Sequence, residues 1–161
     1  MIGTDRTRGS ATTPSAQVSR FMARYDADIV SVAVDARARL RRRIPGAYEL
    51  VYDNYNALVI GFGPTEKASD AVISLALYPR WVTLFFLCGA TLPDPLALLK
   101  GSGKQVRSIR LETASILDTP GVRALLDAAL AEADPPMPSR GRVIIKSVSA
   151  KQRAGRPGGR R

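Results

Sequence analysis

The chain has no histidine and only one cysteine among its 161 residues. Without histidine it cannot form a Ser-His-Asp triad, a Cys-His pair, a His-ligated zinc site or an imidazole general base. A single cysteine excludes an internal disulfide and a multi-cysteine metal cluster, and it suits a reducing compartment. These absences favour a cytoplasmic protein and remove several classes of enzyme.

Acidic residues are scarce, because 14 Asp and Glu stand against 24 Lys and Arg for a formal net charge of +10. The excess is concentrated in residues 134–161, where Asp134 is the one acid. The basic residues there are Arg140, Arg142, Lys146, Lys151, Arg153, Arg156, Arg160 and Arg161. Such a segment attracts nucleic acid or another polyanion through counterion release, and the alternative is a solubilising role.

Long apolar runs are also few. Residues 71–92 carry Arg80 as their one charge, but Pro79 and Arg80 divide the run and both halves are rich in strand-forming residues. This pattern predicts a soluble hairpin rather than a membrane span. Residues 1–17 contain no apolar core of a signal peptide. We therefore expect no membrane association.

The spacing of apolar residues predicts the order of the elements. Three- and four-residue spacing predicts helices over 14–25 and 26–44, and a closing helix over 120–133. Two-residue spacing predicts strands over 57–62, 71–78, 81–88 and 106–111, with a further strand at 142–149. Together they predict an α+β two-layer sandwich, in which an antiparallel meander of four to five strands carries the N-terminal and C-terminal helices on one face.

The predicted elements divide the chain into four segments. Residues 1–13 are predicted to be a disordered leader and residues 14–133 the domain. Residues 134–149 are predicted to be a Pro-rich linker with the further strand, and residues 150–161 a basic disordered tail.

The stretch from Gly101 to Lys104 resembles the end of a phosphate loop, but Leu98 and Gln105 stand where that motif requires Gly and Ser or Thr. No G-x-S-x-G turn is present either, so we expect a protein that is not an enzyme. A surface anion contact at this loop, with Arg107 and Arg110 nearby, is the alternative to an ordinary turn.

Tyrosines precede the first predicted strand, and they either seal the core or line a ligand cleft. The candidate ligand or anion site comprises Tyr52, Tyr55, Lys104, Arg107 and Arg110. A small-ligand cleft formed by the first four of these is a further hypothesis. Trp81, Phe85 and Phe86 are predicted to be core residues.

Carboxylates are the remaining candidates for a metal site. Asp28 and Asp35 are seven residues apart on one predicted helix face, and Glu49 and Asp53 lie just before the first predicted strand. Hard cations such as Fe²⁺ accept oxygen ligands of this kind. The alternative is a set of ion pairs, such as Asp35 with Arg39 four residues later.

Several stretches resemble the YdhG-like family of small bacterial domains of unknown function. They are IPGAYELVYDNYNALVIGF, LALYPRWVTLFF and LLKGSGKQVRSIRLE, followed by the closing helix. The most distinctive is the pattern L-x-G-x-G-K-x-x-R-x-I at residues 99–109. The resemblance spans residues 18–133, and GRVIIKSVSAKQR resembles an extension seen in some relatives.

The resemblance implies a frataxin-like sandwich. Because some members of the wider group are described as iron chaperones, it also implies an accessory protein that hands iron to an acceptor protein. The residues implied for an iron surface are Asp26, Asp28, Asp35, Glu49 and Asp53. Iron is thus the one cofactor expected, and a polyanion-binding module that acts through the basic tail is the alternative function.

Overall fold

The computed structural model describes residues 13–149, so most of the predicted leader and all of the predicted tail lie outside the described residues. Its helices are α1 (Pro14–Met22), α2 (Ala27–Arg43) and α3 (Pro120–Ala131). Its strands are β1 (Tyr48–Asp53), β2 (Leu58–Gly63), β3 (Ile73–Leu77), β4 (Val82–Phe86), β5 (Arg107–Leu111) and β6 (Val143–Val148). The α+β class predicted from the sequence is confirmed.

The helices begin within one residue of their predicted starts and end one to three residues before their predicted ends. The hydroxyl of Thr13 accepts a hydrogen bond from the N–H of Ala16, and Pro14 occupies the first turn of α1. Helix α2 buries a stripe at three- and four-residue spacing and ends in three arginines, which suit the negative end of the helix dipole. The stripe comprises Ile29, Ala33, Ala36, Arg37 and Leu40.

The strands form one mixed sheet in the order β5-β4-β3-β2-β1-β6. Strands β1 to β5 pair antiparallel with their neighbours, whereas β6 pairs parallel with β1 at the edge. The prediction of a wholly antiparallel sheet of four to five strands is therefore wrong. The sheet also extends beyond residue 133, the predicted end of the domain.

Two physical causes explain the difference. The pattern of β1 was missed because its inward positions include Glu49 and Asp53, which interrupt the apolar alternation that marks a strand. Strand β6 is parallel because α3 carries the chain back across the layer before β6 begins, and a parallel neighbour requires a crossover of this kind.

One face of the sheet packs against the helices, and the other face is called the open face. The core contains Val51, Ile60, Leu75, Leu84 and Ile109 on the helix side of the strands. Strand register places one continuous row of side chains across the open face. That row is Ser147, Tyr52, Val59, Ala76, Thr83 and Arg110.

The sheet also has two distinct ends. The hairpin end contains the tight turns at residues 54–57 and 78–81, together with the last residues of β5 and β6. The loop end contains the longer connections at residues 64–72 and 87–106 and the first residues of β6. Helices α2 and α3 both run toward the loop end, since each begins near the hairpin end.

Candidate functional site

Glu49 is the first of two buried carboxylates that β1 turns toward the helices, and it is 5% exposed. It accepts hydrogen bonds from Arg37 Nε at 2.9 Å and pairs with Arg41 Nε at 2.8 Å. Four residues separate the two arginines on α2, so both face β1. They supply the opposite charge that a buried carboxylate requires.

Asp53 is the second buried carboxylate, and it is fully enclosed. Its Oδ2 accepts a hydrogen bond from Arg24 Nη2 at 2.5 Å, and Arg24 lies in the connection between α1 and α2. The Arg24 guanidinium also lies 5.3 Å from the centroid of the Phe21 ring. The two inward carboxylates of β1 therefore tie the helices to the sheet.

The other residues predicted to bind metal lie on or beside α2. Asp35 pairs with Arg39 at 3.0 Å, and Arg39 also contacts Asp118. The hydrogen bond to Asp35, assisted by Asp118, raises the pKa of the Arg39 guanidinium above its ordinary value. Asp26 and Asp28 are exposed at the start of the helix.

No metal-binding group emerges from these carboxylates. Within residues 13–149, no three His, Cys, Asp or Glu side chains are grouped where they could hold a metal ion. The structure therefore does not bring together the predicted set of Asp26, Asp28, Asp35, Glu49 and Asp53.

The residues predicted to bind a ligand or anion are divided between the ends of the sheet. Tyr52 and Arg110 share one row of the open face, four strand spacings or about 19 Å apart. Lys104 and Arg107 lie at the loop end, where Arg107 Nη1 donates to the carbonyl oxygen of Gly103 at 2.7 Å. These residues do not form a single site.

The four residues predicted to form a small-ligand cleft do not line a common cleft either. Two well-formed clefts lie at the loop end of the described residues, and neither is lined by Tyr52, Tyr55, Lys104 or Arg107. Tyr55 is instead 44% exposed in the turn between β1 and β2.

A cationic aromatic surface lies at the hairpin end of the open face. Trp81 is 38% exposed, and the Arg110 guanidinium carbon lies 4.5 Å from its ring centroid. The Tyr78 ring lies 5.8 Å from the Trp81 ring, and Arg80 is exposed at the tip of the turn. Tyr78, Arg80, Trp81 and Arg110 are called the Trp81 cluster. The neighbouring turn, about two strand spacings away, presents Tyr55.

Arg110 is a predicted site residue, whereas Tyr78, Arg80 and Trp81 are not. The expectation that Trp81 is a core residue is wrong, because its side chain lies on the open face beside a tight turn. The N–H of Tyr78 donates to the carbonyl oxygen of Trp81 at 2.9 Å and closes this turn around Pro79 and Arg80. That Pro-Arg turn was the available signal, since a residue beside a turn has few neighbours to bury it.

The basic C-terminal segment is partly described. Arg142 pairs with Glu66 at 2.9 Å and lies 5.9 Å from the Tyr48 ring centroid, and Lys146 Nζ donates to the Glu66 carbonyl oxygen at 3.2 Å. Arg140 is exposed before β6. The remaining predicted members lie outside the described residues, and they are Lys151, Arg153, Arg156, Arg160 and Arg161.

The position where β6 ends relates this segment to the Trp81 cluster. The N–H of Ser149 donates to the carbonyl oxygen of Asp53 at 2.7 Å, and the Ser147 hydroxyl lies 3.1 Å from Asn54 Oδ1. Both contacts lie at the hairpin end. The chain therefore enters the basic residues 150–161 at the same end of the sheet as the Trp81 cluster.

No protein-family model, curated protein or solved structure matches this chain. The YdhG-like resemblance and the frataxin-like fold stay predictions. None of the helices within residues 13–149 has the length and apolar character needed to cross a bilayer.

Proposed function

We propose that the protein is a non-enzymatic, cytoplasmic binding module for polyanions, with single-stranded nucleic acid as its partner. The observation that carries the proposal is the stacking of Arg110 on exposed Trp81 at 4.5 Å. This stack lies at the end of the sheet where β6 leads into five further cations. The free thiol of Cys88 suits a reducing compartment such as the cytoplasm.

The geometry of the Trp81 cluster favours a single strand over a duplex. Unpaired bases can stack on an exposed aromatic ring, whereas the bases of a duplex present only their edges. The Trp81 ring offers such a surface and Tyr78 extends it. The adjacent Arg110 guanidinium places positive charge beside the stacked base, where the phosphate backbone passes.

The charges of the Trp81 cluster are available to a ligand. Arg110 and Arg80 have no acidic partner among residues 13–149, unlike Arg24 and Arg37, which pair with buried carboxylates. A cation without an acidic partner can neutralise phosphate and release counterions without first breaking an ion pair. Strand β6 ends at the same end of the sheet as these two arginines but at the edge opposite β5, and the five cations of residues 150–161 follow it in the chain.

We also propose that the chain is a YdhG-like domain with a frataxin-like sandwich. This assignment rests on the sequence patterns in residues 18–133. Iron handling, the function that the resemblance implies, has no support from the geometry. Asp35, Glu49 and Asp53 already pair with arginines. Anaerobic Fe²⁺ titration of the full chain would decide whether exposed Asp26 and Asp28 bind iron.

The test is the salt dependence of binding to a short fluorescein-labelled oligo(dT), measured by fluorescence anisotropy. In the test variant, all five cations of residues 150–161 are replaced by Gln. Single-strand binding releases about 0.7 counterion per neutralised phosphate, so the slope of log K against log salt should become shallower by about 3.5. Quenching of Trp81, the one tryptophan of the chain, should accompany binding.

The matched control replaces Lys67 and Lys104 at the loop end by Gln, which lowers net charge away from the proposed site. We expect its slope to change by less than about 1. Equal losses per charge in both variants, or binding without Trp81 quenching, would contradict the proposed location. Heparin is then used as a competitor. If it displaces oligo(dT) equally well from the wild type and from the Trp81→Ala variant, the protein has a polyanion surface without base stacking.

A further inference from the structure

A second surface lies at the loop end of the sheet, on the helix side. It is a cleft of about 190 Å³ between the last turn of α3 and the adjoining ends of β3 and β4. Its apolar wall includes Val72, Phe86, Leu92 and Ala129. This volume is below the range typical of sites for drug-sized molecules, so any occupant must be small.

The charged groups of this cleft are all acidic. Asp70, Glu132 and Asp134 line it, and no Lys or Arg is among the lining residues. Asp70 Oδ2 accepts a hydrogen bond from the Thr65 hydroxyl at 2.7 Å. The net charge of +10 does not predict an acidic cleft on this chain.

The end of α3 adds to the negative potential of the cleft. The last turn of α3 contains no basic residue, and Glu132 is its C-cap. Acidic groups are unfavourable at the negative end of a helix dipole, and a bound cation would offset this. Helix α2, which ends at the same end of the sheet, carries Arg41, Arg42 and Arg43 in its last turn.

A metal ion does not fit this arrangement. A hard cation requires several oxygen ligands that converge on one point, whereas no three acidic or thiol side chains within residues 13–149 are grouped closely enough to do so. An ammonium group on an apolar body fits better, because separated carboxylates can attract it while its hydrocarbon contacts the apolar wall.

We propose that this acidic cleft binds a small organic cation of the alkylammonium or arylalkylammonium class. The ammonium head lies among Asp70, Glu132 and Asp134, and the hydrocarbon body lies against Val72 and Leu92. This site is independent of the nucleic-acid surface, since it lies at the opposite end of the sheet.

Cys88 supplies the reporter for the test, because it lines the cleft, is exposed and is the single cysteine of the chain. The full-length protein is treated with cationic trimethylammonioethyl or anionic sulfonatoethyl methanethiosulfonate, and each rate is normalised to that of free mercaptoethanol. We expect Cys88 to react about ten-fold faster with the cationic reagent at low ionic strength. A faster reaction with the anionic reagent, as the net charge alone would give, would overturn the proposal.

The second measurement is protection of Cys88 by a ligand of the proposed class. Benzylammonium should slow alkylation by neutral N-ethylmaleimide, whereas uncharged benzyl alcohol should protect weakly. Asp70→Asn with Glu132→Gln should weaken benzylammonium protection about ten-fold, because charged hydrogen-bond partners are lost. Glu112→Gln, a change at an exposed carboxylate beyond the end of β5, is the control and should leave protection unchanged.

Equal protection by benzyl alcohol and benzylammonium would overturn the assignment of charge recognition. Protection that survives the double substitution would overturn the assigned residues, and absence of protection would overturn the site. No nucleic acid is present in these assays, so their failure is distinguishable from failure of the polyanion proposal.

Discussion

The two ends of the sheet carry opposite kinds of surface. At the hairpin end, Arg80 and Arg110 flank exposed Trp81 without an acidic partner among residues 13–149. At the loop end, Glu132 and Asp134 line a cleft without a basic side chain. Net charge therefore describes neither surface, because the Trp81 cluster is cationic whereas the cleft is lined by acids alone.

The carboxylates of β1 differ from those of the cleft in the same way. Glu49 and Asp53 are buried and bound to arginines, so their charges are neutralised within the fold. The cleft carboxylates lie at the surface around an apolar wall. Burial thus distinguishes acids that connect layers of the structure from acids that are available to a ligand.

Glu49→Ala gives the largest effect, because it removes the acid that two α2 arginines share. Arg37 would keep a largely buried guanidinium without its counter-charge, which typically costs 3–5 kcal/mol. We expect about 3 kcal/mol loss of unfolding free energy in urea denaturation, since Arg41 is half exposed and can hydrate. Glu66→Ala is the control, because its pair with Arg142 is exposed on both sides and should cost less than about 1 kcal/mol.

Similar losses in the two variants would show that burial does not set the value of these ion pairs. In that case, the distinction between buried and surface carboxylates would fail.

Much of the fold could be predicted from the sequence because its periodicity is strong. The apolar stripe of α2 and the start of α1 at Pro14 are local signals, and the structure confirms both. Strand β1 was missed because Glu49 and Asp53 occupy inward positions. Their arginine partners are 12 and 29 residues away in the chain, so no local pattern reveals the pairing.

The candidate site was less predictable for the same reason. Arg110 could be identified as a cation, but its stacking on Trp81 depends on the pairing of β4 with β5 across a loop of 20 residues, 87–106. The acidic cleft combines residues near positions 70, 88 and 132, which meet only in the folded chain. The overall composition does not indicate an acidic cleft, since the chain is basic.

Arg110→Ala should have an intermediate effect, because it removes one stacked cation from the Trp81 cluster. We expect oligo(dT) affinity to fall about five-fold, corresponding to about 1 kcal/mol, with an increase in solvent exposure of Trp81 seen in its emission. Arg142→Ala is the matched control, since Arg142 also lies over an aromatic ring but pairs with Glu66 at the loop end. A larger loss for Arg142→Ala would move the binding surface to the other end of the sheet.

Glu132→Lys should give the smallest effect and one of opposite sign. The substitution replaces an acid with a base at the negative end of the α3 dipole, so we expect a gain of about 0.5 kcal/mol in unfolding free energy at low salt. Glu112→Lys, at an exposed position outside the three α-helices, should change stability by less than that. The same Glu132→Lys protein should lose protection of Cys88 by benzylammonium. Increased stability with lost binding would mean that the charge of Glu132 destabilises the fold but is needed to bind the ligand. Reduced stability would mean that Glu132 stabilises the fold.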